Sequence, residues 1–274
     1  MKSAFIAILV LSLLIPGEVR HGSLVVVIVS QKGDYVVVAA ESRQVDISGN
    51  VLNDHACKII SLGEDTLFFE TGAALIGVQK GESWDALSVA RASYRESKKR
   101  DAQALSTAWG NVALNWFYGK NREDLRTSRE AQDGRIVTGG FVEFESDGSP
   151  SVQNQTIFYL DDTKQLRRHP DGAPPGPGQI TISGVALGLV QEFFDGKTER
   201  AVEAFGPIGM VRLIAVDPTT DSTLAKKAIQ FAIDNSTGKE KEALGGPIDV
   251  AIIHKNRMIE WVSRKKECYE QDQK

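Results

Sequence analysis

Cysteine is nearly missing from this chain: there are two in 274 residues, Cys57 and Cys268. Two thiols exclude a disulfide framework as the main source of stability, and their spacing leaves open whether they pair. Histidine is sparse as well. His21, His55, His169 and His254 are scattered with no pair at a useful ligand spacing, so neither a metal site nor any cofactor is expected. No basic stripe is present either: 32 Lys and Arg against 36 Asp and Glu leave a net charge of −4, and nothing points to nucleic acid. Beyond residue 15 no apolar run is long enough to span a bilayer, which excludes a membrane span from the mature chain. Internal repeats, low-complexity tracts and a domain-splitting linker are also lacking.

What remains is an ordinary globular composition, 42% hydrophobic and 25% charged, with enough length for one sizeable core. The chain opens with Lys2, an apolar run over residues 4–15 interrupted by Ser12, and then Pro16-Gly17. A dozen apolar residues suit the core of a signal peptide better than a membrane helix. Residues 1–22 are therefore read as a signal peptide or propeptide, 23–262 as one domain, and 263–274 as a charged, frayed tail. Export to the periplasm or the extracellular space is expected; the alternative is a hydrophobic propeptide on a cytoplasmic protein.

Periodicity gives a mixed α/β chain. The runs 24–29 and 35–40, joined through Gly33-Asp34, read as a buried β-hairpin. Residues 73–118 read as helical, with one helix over 83–98 and a second whose stripe is Leu105, Trp109, Val112 and Trp116. A second hairpin spans 135–145 and 155–160 around an Asp147-Gly148-Ser149-Pro150 turn, followed by an exposed Pro/Gly loop over 169–178. A short strand at 179–182, a helix over 185–194, a helix capped by Asp221 and a last hairpin over 248–262 complete the pattern.

The chemistry concentrates at His21-Gly22-Ser23, directly before the first strand. Cleavage before Ser23 gives one residue both a hydroxyl and a free α-amine. Such an amine ordinarily titrates at about 8, so it can accept the hydroxyl proton near neutrality. Downstream come Ala39-Ala40-Glu41-Ser42-Arg43 at the end of the second strand, then Lys58 and Gly72. This order, with the same Lys58-to-Gly72 interval, resembles the proteasome β-subunit family of N-terminal nucleophile (Ntn) hydrolases. That likeness is most specific over residues 21–76 and architectural beyond them.

The resemblance implies an αββα sandwich of two stacked, mainly antiparallel sheets with helices outside both. It implies Ser23 as nucleophile, Lys58 as the cation that favours its alkoxide-like state, Glu41 as the carboxylate that holds Lys58, and Gly72 N–H as oxyanion donor. Ser183 fits the first member of the family's supporting group, and Arg43 matches a structural arginine. The remaining members align poorly, on Asp234 and Thr237 or on Lys241 and Leu244. Glu70 falls in the pocket for the residue preceding the cut, where a carboxylate favours basic side chains. Three departures stand out: serine for threonine, glutamate for aspartate, and that incomplete supporting group. The implied substrate is a peptide or small amide, and a homo-oligomer is compatible with it. The alternatives are a catalytically inactive scaffold or binding subunit and, third, an acylase acting on a non-peptide amide.

Overall fold

Leu24–Val29 and Tyr35–Ala40 are buried at every position, the pattern of strands covered on both faces rather than on one. The computed structural model describes residues 19–20, 23–45, 50–72, 75–77, 83–118, 134–160, 163, 165–170, 173–196, 198–205 and 217–272. The expected leader, apart from residues 19–20, lies outside them. The first strands are β1 (Val19–Arg20), β2 (Leu24–Val29), β3 (Tyr35–Ala40), β4 (Gln44–Val45) and β5 (Val51–Asn53). Then follow β6 (Ile59–Ser61), β7 (Thr66–Gly72), β8 (Leu75–Gly77), β9 (Ser83–Asp85), β10 (Arg135–Phe144) and β11 (Pro150–Leu160). The last are β12 (Gln165–His169), β13 (Ile180–Gly184), β14 (Asp249–His254) and β15 (Ile259–Ser263). The described helices are α1 (Ala86–Glu96), α2 (Ala102–Tyr118), α3 (Leu187–Asp195), α4 (Glu199–Phe205), α5 (Pro218–Asn235), α6 (Gly238–Ala243) and α7 (Lys266–Asp272).

The architecture is mixed α+β. One five-stranded antiparallel sheet runs β13-β2-β3-β14-β15 and a second runs β12-β11-β10-β7-β6, with smaller pairings β1-β8-β9 and β4-β5. Alternation along each strand divides its side chains between two cores. Val25, Val27, Val29, Val36 and Val38 of the first sheet pack with Ile59, Leu67, Phe69 and Val142 of the second. Leu24, Val26, Ile28 and Val37 point the other way, onto Phe193 of α3 and Leu224, Ala228 and Phe231 of α5. The opposite face of the second sheet, with Ile60, Phe68 and Phe141, meets Trp84 and the Leu105, Trp109, Ala113 and Phe117 stripe of α2. Gly139 of β10 permits that close fit, since a Cβ there would lie 2.7 Å from the Trp109 ring; Gly140 instead makes room for Phe69 in the core between the sheets, where a Cβ would lie 2.1 Å from its ring. No described helix is long and apolar enough to cross a membrane.

Several sequence expectations need correcting. Residues 75–77 and 83–85 pair as strands, and α1 begins only at Ala86, where the Asp85 carboxylate accepts Leu87 N–H. On α2, Leu105 and Trp109 are buried as expected, but Val112 is exposed and Trp116 only partly covered; Ala113 and Phe117 complete the stripe. The reason is a helical face set by Ala102, Leu105, Trp109 and Ala113 at i, i+3, i+7 and i+11, which rotates Val112 outward. Helix α5 is capped by Asp217, not Asp221, because Pro218 suits the first helical position. Asp221 instead accepts a 2.6 Å hydrogen bond from the Tyr35 hydroxyl in the core, and burial pushes the Tyr35 phenol well above its usual pKa. The C-terminal segment is not frayed through residue 272. Lys265 and Cys268 are buried, Lys266–Asp272 is helical, and Cys268 is disulfide-bonded to Cys57, which settles the pairing the sequence left open.

Candidate active site

Ser23 sits at the point where β2 begins. Its carbonyl accepts Val185 N–H at 2.9 Å, and Gly184 pairs with Leu24, so the start of β2 is held by the end of β13. Gly184 has φ +114°, and a Cβ there would lie 2.0 Å from the Ser23 carbonyl oxygen, so only glycine lets β13 come this close. Ser183 is buried opposite Val25 on the same strand pair.

The β2–β3 ladder runs on past its ends. Glu41 N–H donates to Leu24 O at 3.3 Å, and Leu24 N–H returns to Glu41 Oε1 at 3.2 Å. Glu41 Oε2 accepts Arg43 N–H at 2.6 Å and Gly245 N–H at 3.4 Å. Gly245 O in turn accepts the backbone N–H groups of Ser42 and Arg43. Arg43 itself forms an ion pair with Asp54, in keeping with a structural role.

Across the sheet interface, β2 and β13 pass over β7, and β3 passes over β6. This stacking delivers Lys58, just before β6, to the start of β2: its ammonium donates a 2.5 Å hydrogen bond to Ser23 Oγ. Since Ile59 pairs with Phe69, Lys58 falls opposite Glu70, and Glu70 N–H donates to Lys58 O at 3.0 Å. Gly72 ends the same strand β7, at φ +88°. Ser23, Glu41, Lys58 and Glu70 are all at most 1% exposed.

Burial dominates the electrostatics. It pushes the Glu41 carboxyl up to about 7, against the opposing pull of Lys58 and the three backbone donors. It pushes Glu70 up to about 8, opposed by Lys58 and Arg91 and assisted by Asp85. Glu70 Oε2 has no hydrogen-bond partner among the described residues, so this carboxyl lacks the donors that satisfy Glu41. An ammonium bonded to a buried hydroxyl, with carboxyl groups on two sides, can stabilise charge developing on that oxygen and can exchange protons near neutrality.

The structure thus brings Ser23 together with Glu41, Lys58 and Glu70, and sets Ser183 and Gly72 on the neighbouring strands. Of the poorly aligned supporting positions, Asp234 accepts a hydrogen bond from Gln230 on its own helix, and Leu244 packs in the apolar core. The position that reaches the site from that loop is Gly245. Sequence reasoning also missed Asp249 and Lys265. Asp249 pairs with Ala40 beside Glu41, and Lys265 donates to it from both its backbone N–H and its ammonium. A lone aspartate inside the apolar run 248–253 was the available signal. The chain matches no family model and no curated protein.

Proposed function

We propose that this protein is a proteasome-like Ntn hydrolase, cleaving peptide or amide bonds with Ser23 after hydrolysis of the Gly22–Ser23 bond. The single observation that carries this is the buried 2.5 Å hydrogen bond from Lys58 Nζ to Ser23 Oγ, at a strand start flanked by Glu41 and Glu70. The packing of two antiparallel sheets with helices outside each supports assignment of the four-layer αββα sandwich.

In the mature chain the freed α-amine takes the Ser23 hydroxyl proton as Oγ attacks the substrate carbonyl carbon. Lys58 stabilises the negative charge gathering on Oγ, and Glu41 holds the charged network around it. The Gly72 N–H donates to the oxyanion of the tetrahedral intermediate, a contribution of roughly 3 kcal/mol for one such donor. Collapse breaks the C–N bond, and the leaving amine takes the proton back from the Ser23 ammonium. Water then hydrolyses the acyl ester, with the α-amine again as base.

Intact mass of the mature protein, followed by treatment with an electrophilic peptide vinyl sulfone, tests this reading. The expected result is a chain beginning at Ser23 that gains one adduct, with no adduct in Ser23→Ala. Natural-source material that retains Gly22, or a Ser23 chain inert to the probe, overturns it in favour of the inactive scaffold.

A further inference from the structure

Five ionisable side chains are buried around the start of β2, and the mechanism above uses only some of them: Glu41, Lys58, Glu70, Asp249 and Lys265. The last two form a buried ion pair with no part in the reaction as written. Three connections tie that pair to the site. Asp249 lies opposite Ala40, the residue before Glu41, so β14 brings it to the end of β3 that leads into Glu41. Lys265 grips Asp249 through its backbone N–H at 2.9 Å and through its ammonium, which fixes the side chain at both ends. Three residues on, Cys268 is joined by a disulfide to Cys57, the residue before Lys58. The segment carrying Lys265 is therefore covalently fastened to the neighbour of the cation bonded to Ser23.

We propose that Lys265, anchored by Asp249, is a positioning residue of the serine site, a second buried cation that keeps Glu41 ionised beside Lys58 when the enzyme works near neutrality. The inference rests on the reading of Ser23 as nucleophile. Two cations act on Glu41 or feel its charge, Lys58 just before β6 and Lys265 of the C-terminal segment; Lys265 is itself paired with Asp249, and Arg43, whose N–H donates to Glu41, is paired with Asp54. Burial alone favours a neutral Glu41, so each nearby cation matters to its charge state. The interaction is felt at Lys265. Burial lowers the pKa of Lys265, while Asp249 and Glu41 raise it and Lys58 lowers it further. A pair placed only for folding would influence stability and leave Glu41 alone; a pair within the field of Glu41 shifts the pH at which that carboxylate titrates.

The test is made on the full protein with two readouts. The first is the 13C titration of the Glu41 carboxyl; the second is the rate at which Ser23 Oγ adds to the peptide vinyl sulfone between pH 5 and 9. Lys265→Gln keeps an amide donor for Asp249 but removes the charge. It should move the Glu41 midpoint and the acid limb of adduct formation up by about half a unit to one unit, an effect of nearby charge on a buried acid. The rate of adduct formation at pH 6 then falls about three- to tenfold, with little change at pH 9. Lys265→Arg should restore the wild-type limb. Asp249→Asn removes an anion instead and should move the Glu41 midpoint down, so the question stays answerable if Lys265→Gln does not fold. A folded Lys265→Gln or Asp249→Asn chain with an unmoved Glu41 midpoint overturns the proposal. Wild-type protein that forms no adduct at Ser23 at all, while its Glu41 midpoint still responds to Lys265, overturns the nucleophile reading rather than the electrostatic coupling.

Discussion

Lys58 acts on two buried carboxyl groups that differ in how they are held. On one side, Glu41 accepts backbone N–H groups from Leu24, Arg43 and Gly245, which belong to three separate stretches of chain. On the other, Glu70 keeps one oxygen without a hydrogen-bond partner among the described residues. Both are pushed above the usual carboxylate range by burial, Glu41 to about 7 and Glu70 to about 8. The difference teaches which group the fold has finished. Glu41 is a structural acceptor with its bonds made, and its geometry is fixed before any ligand arrives. Glu70 bears the desolvation of a buried acid without the donors that offset it, which is how a group waiting for a partner is expected to look.

Loosening the Glu41 side at its farthest anchor is the largest test of this contrast. The Cys57–Cys268 bridge closes a loop with a sequence separation of 211 residues. Replacing both cysteines by serine should lower stability by about 4 kcal/mol, the usual range for removing a long-loop cross-link. It should also release Lys265 from beside Glu41 while leaving the β6–β7 pairing around Glu70 in place. Urea unfolding measures the first effect, and amide hydrogen exchange in α7 and β7 separates the two regions. Equal loss of protection in both would mean the two sides are one unit.

Neutral substitutions at the two carboxyls come next. In Glu41→Gln an amide group replaces an oxygen that faces backbone donors, leaving at least one N–H unpaired. The expected loss is about 1–3 kcal/mol at pH 6. Glu70→Gln meets no such donors and should be nearly silent at pH 6, where Glu70 is already protonated. The pH dependence then follows in sign. A carboxyl whose folded pKa lies above its unfolded value binds its proton more tightly when folded. Its ionisation therefore destabilises the fold as pH rises from about 4.5 to the folded value, and the penalty is complete above it. Wild-type stability should fall between pH 5 and 8, by up to a few kcal/mol for each such group at about 1.4 kcal/mol per pKa unit. Glu70→Gln should flatten the part of that fall reaching pH 8. Urea midpoints at pH 5, 6.5 and 8 read this, and an undiminished slope in Glu70→Gln would remove Glu70 as its source.

Much of this contrast could be read in the sequence on the Ser23 side and little on the other. The apolar runs over 24–29 and 35–40 fix a hairpin, and the hairpin places Glu41 opposite Leu24 without further information. The Lys58-to-Gly72 interval likewise determines which residues of β6 and β7 face each other. Gly245, Asp249 and Lys265 were not legible because they reach the site from more than 200 residues away, by a strand pairing that local pattern does not encode. Lys265 was misread for a specific reason. It lies in a charged stretch that resembles a solvated tail, and only the buried Asp249 and the Cys57 bridge explain why a lysine is tolerated inside. The expected site residues were thus located by their neighbours in sequence, and the missed ones were those located only by the fold.

The smallest expected effect, and the one that bears on substrate, concerns what completes Glu70. A guanidinium or ammonium entering beside Glu70 supplies the missing donor and favours the ionised carboxylate, so binding a basic side chain releases a proton from Glu70. Affinity for such a substrate therefore rises with pH until Glu70 is ionised in the empty site as well, at about 8. On amide reporters, kcat/KM for an Arg-terminated peptide should exceed that for a Leu-terminated one by about tenfold at pH 8, a difference of 1.4 kcal/mol. The preference should shrink toward pH 6 and vanish in Glu70→Gln, while Glu41→Gln lowers both reporters alike. Equal cleavage of the two reporters, or a preference for Leu that ignores pH, would leave Glu70 as a strained core acid with no ligand to receive.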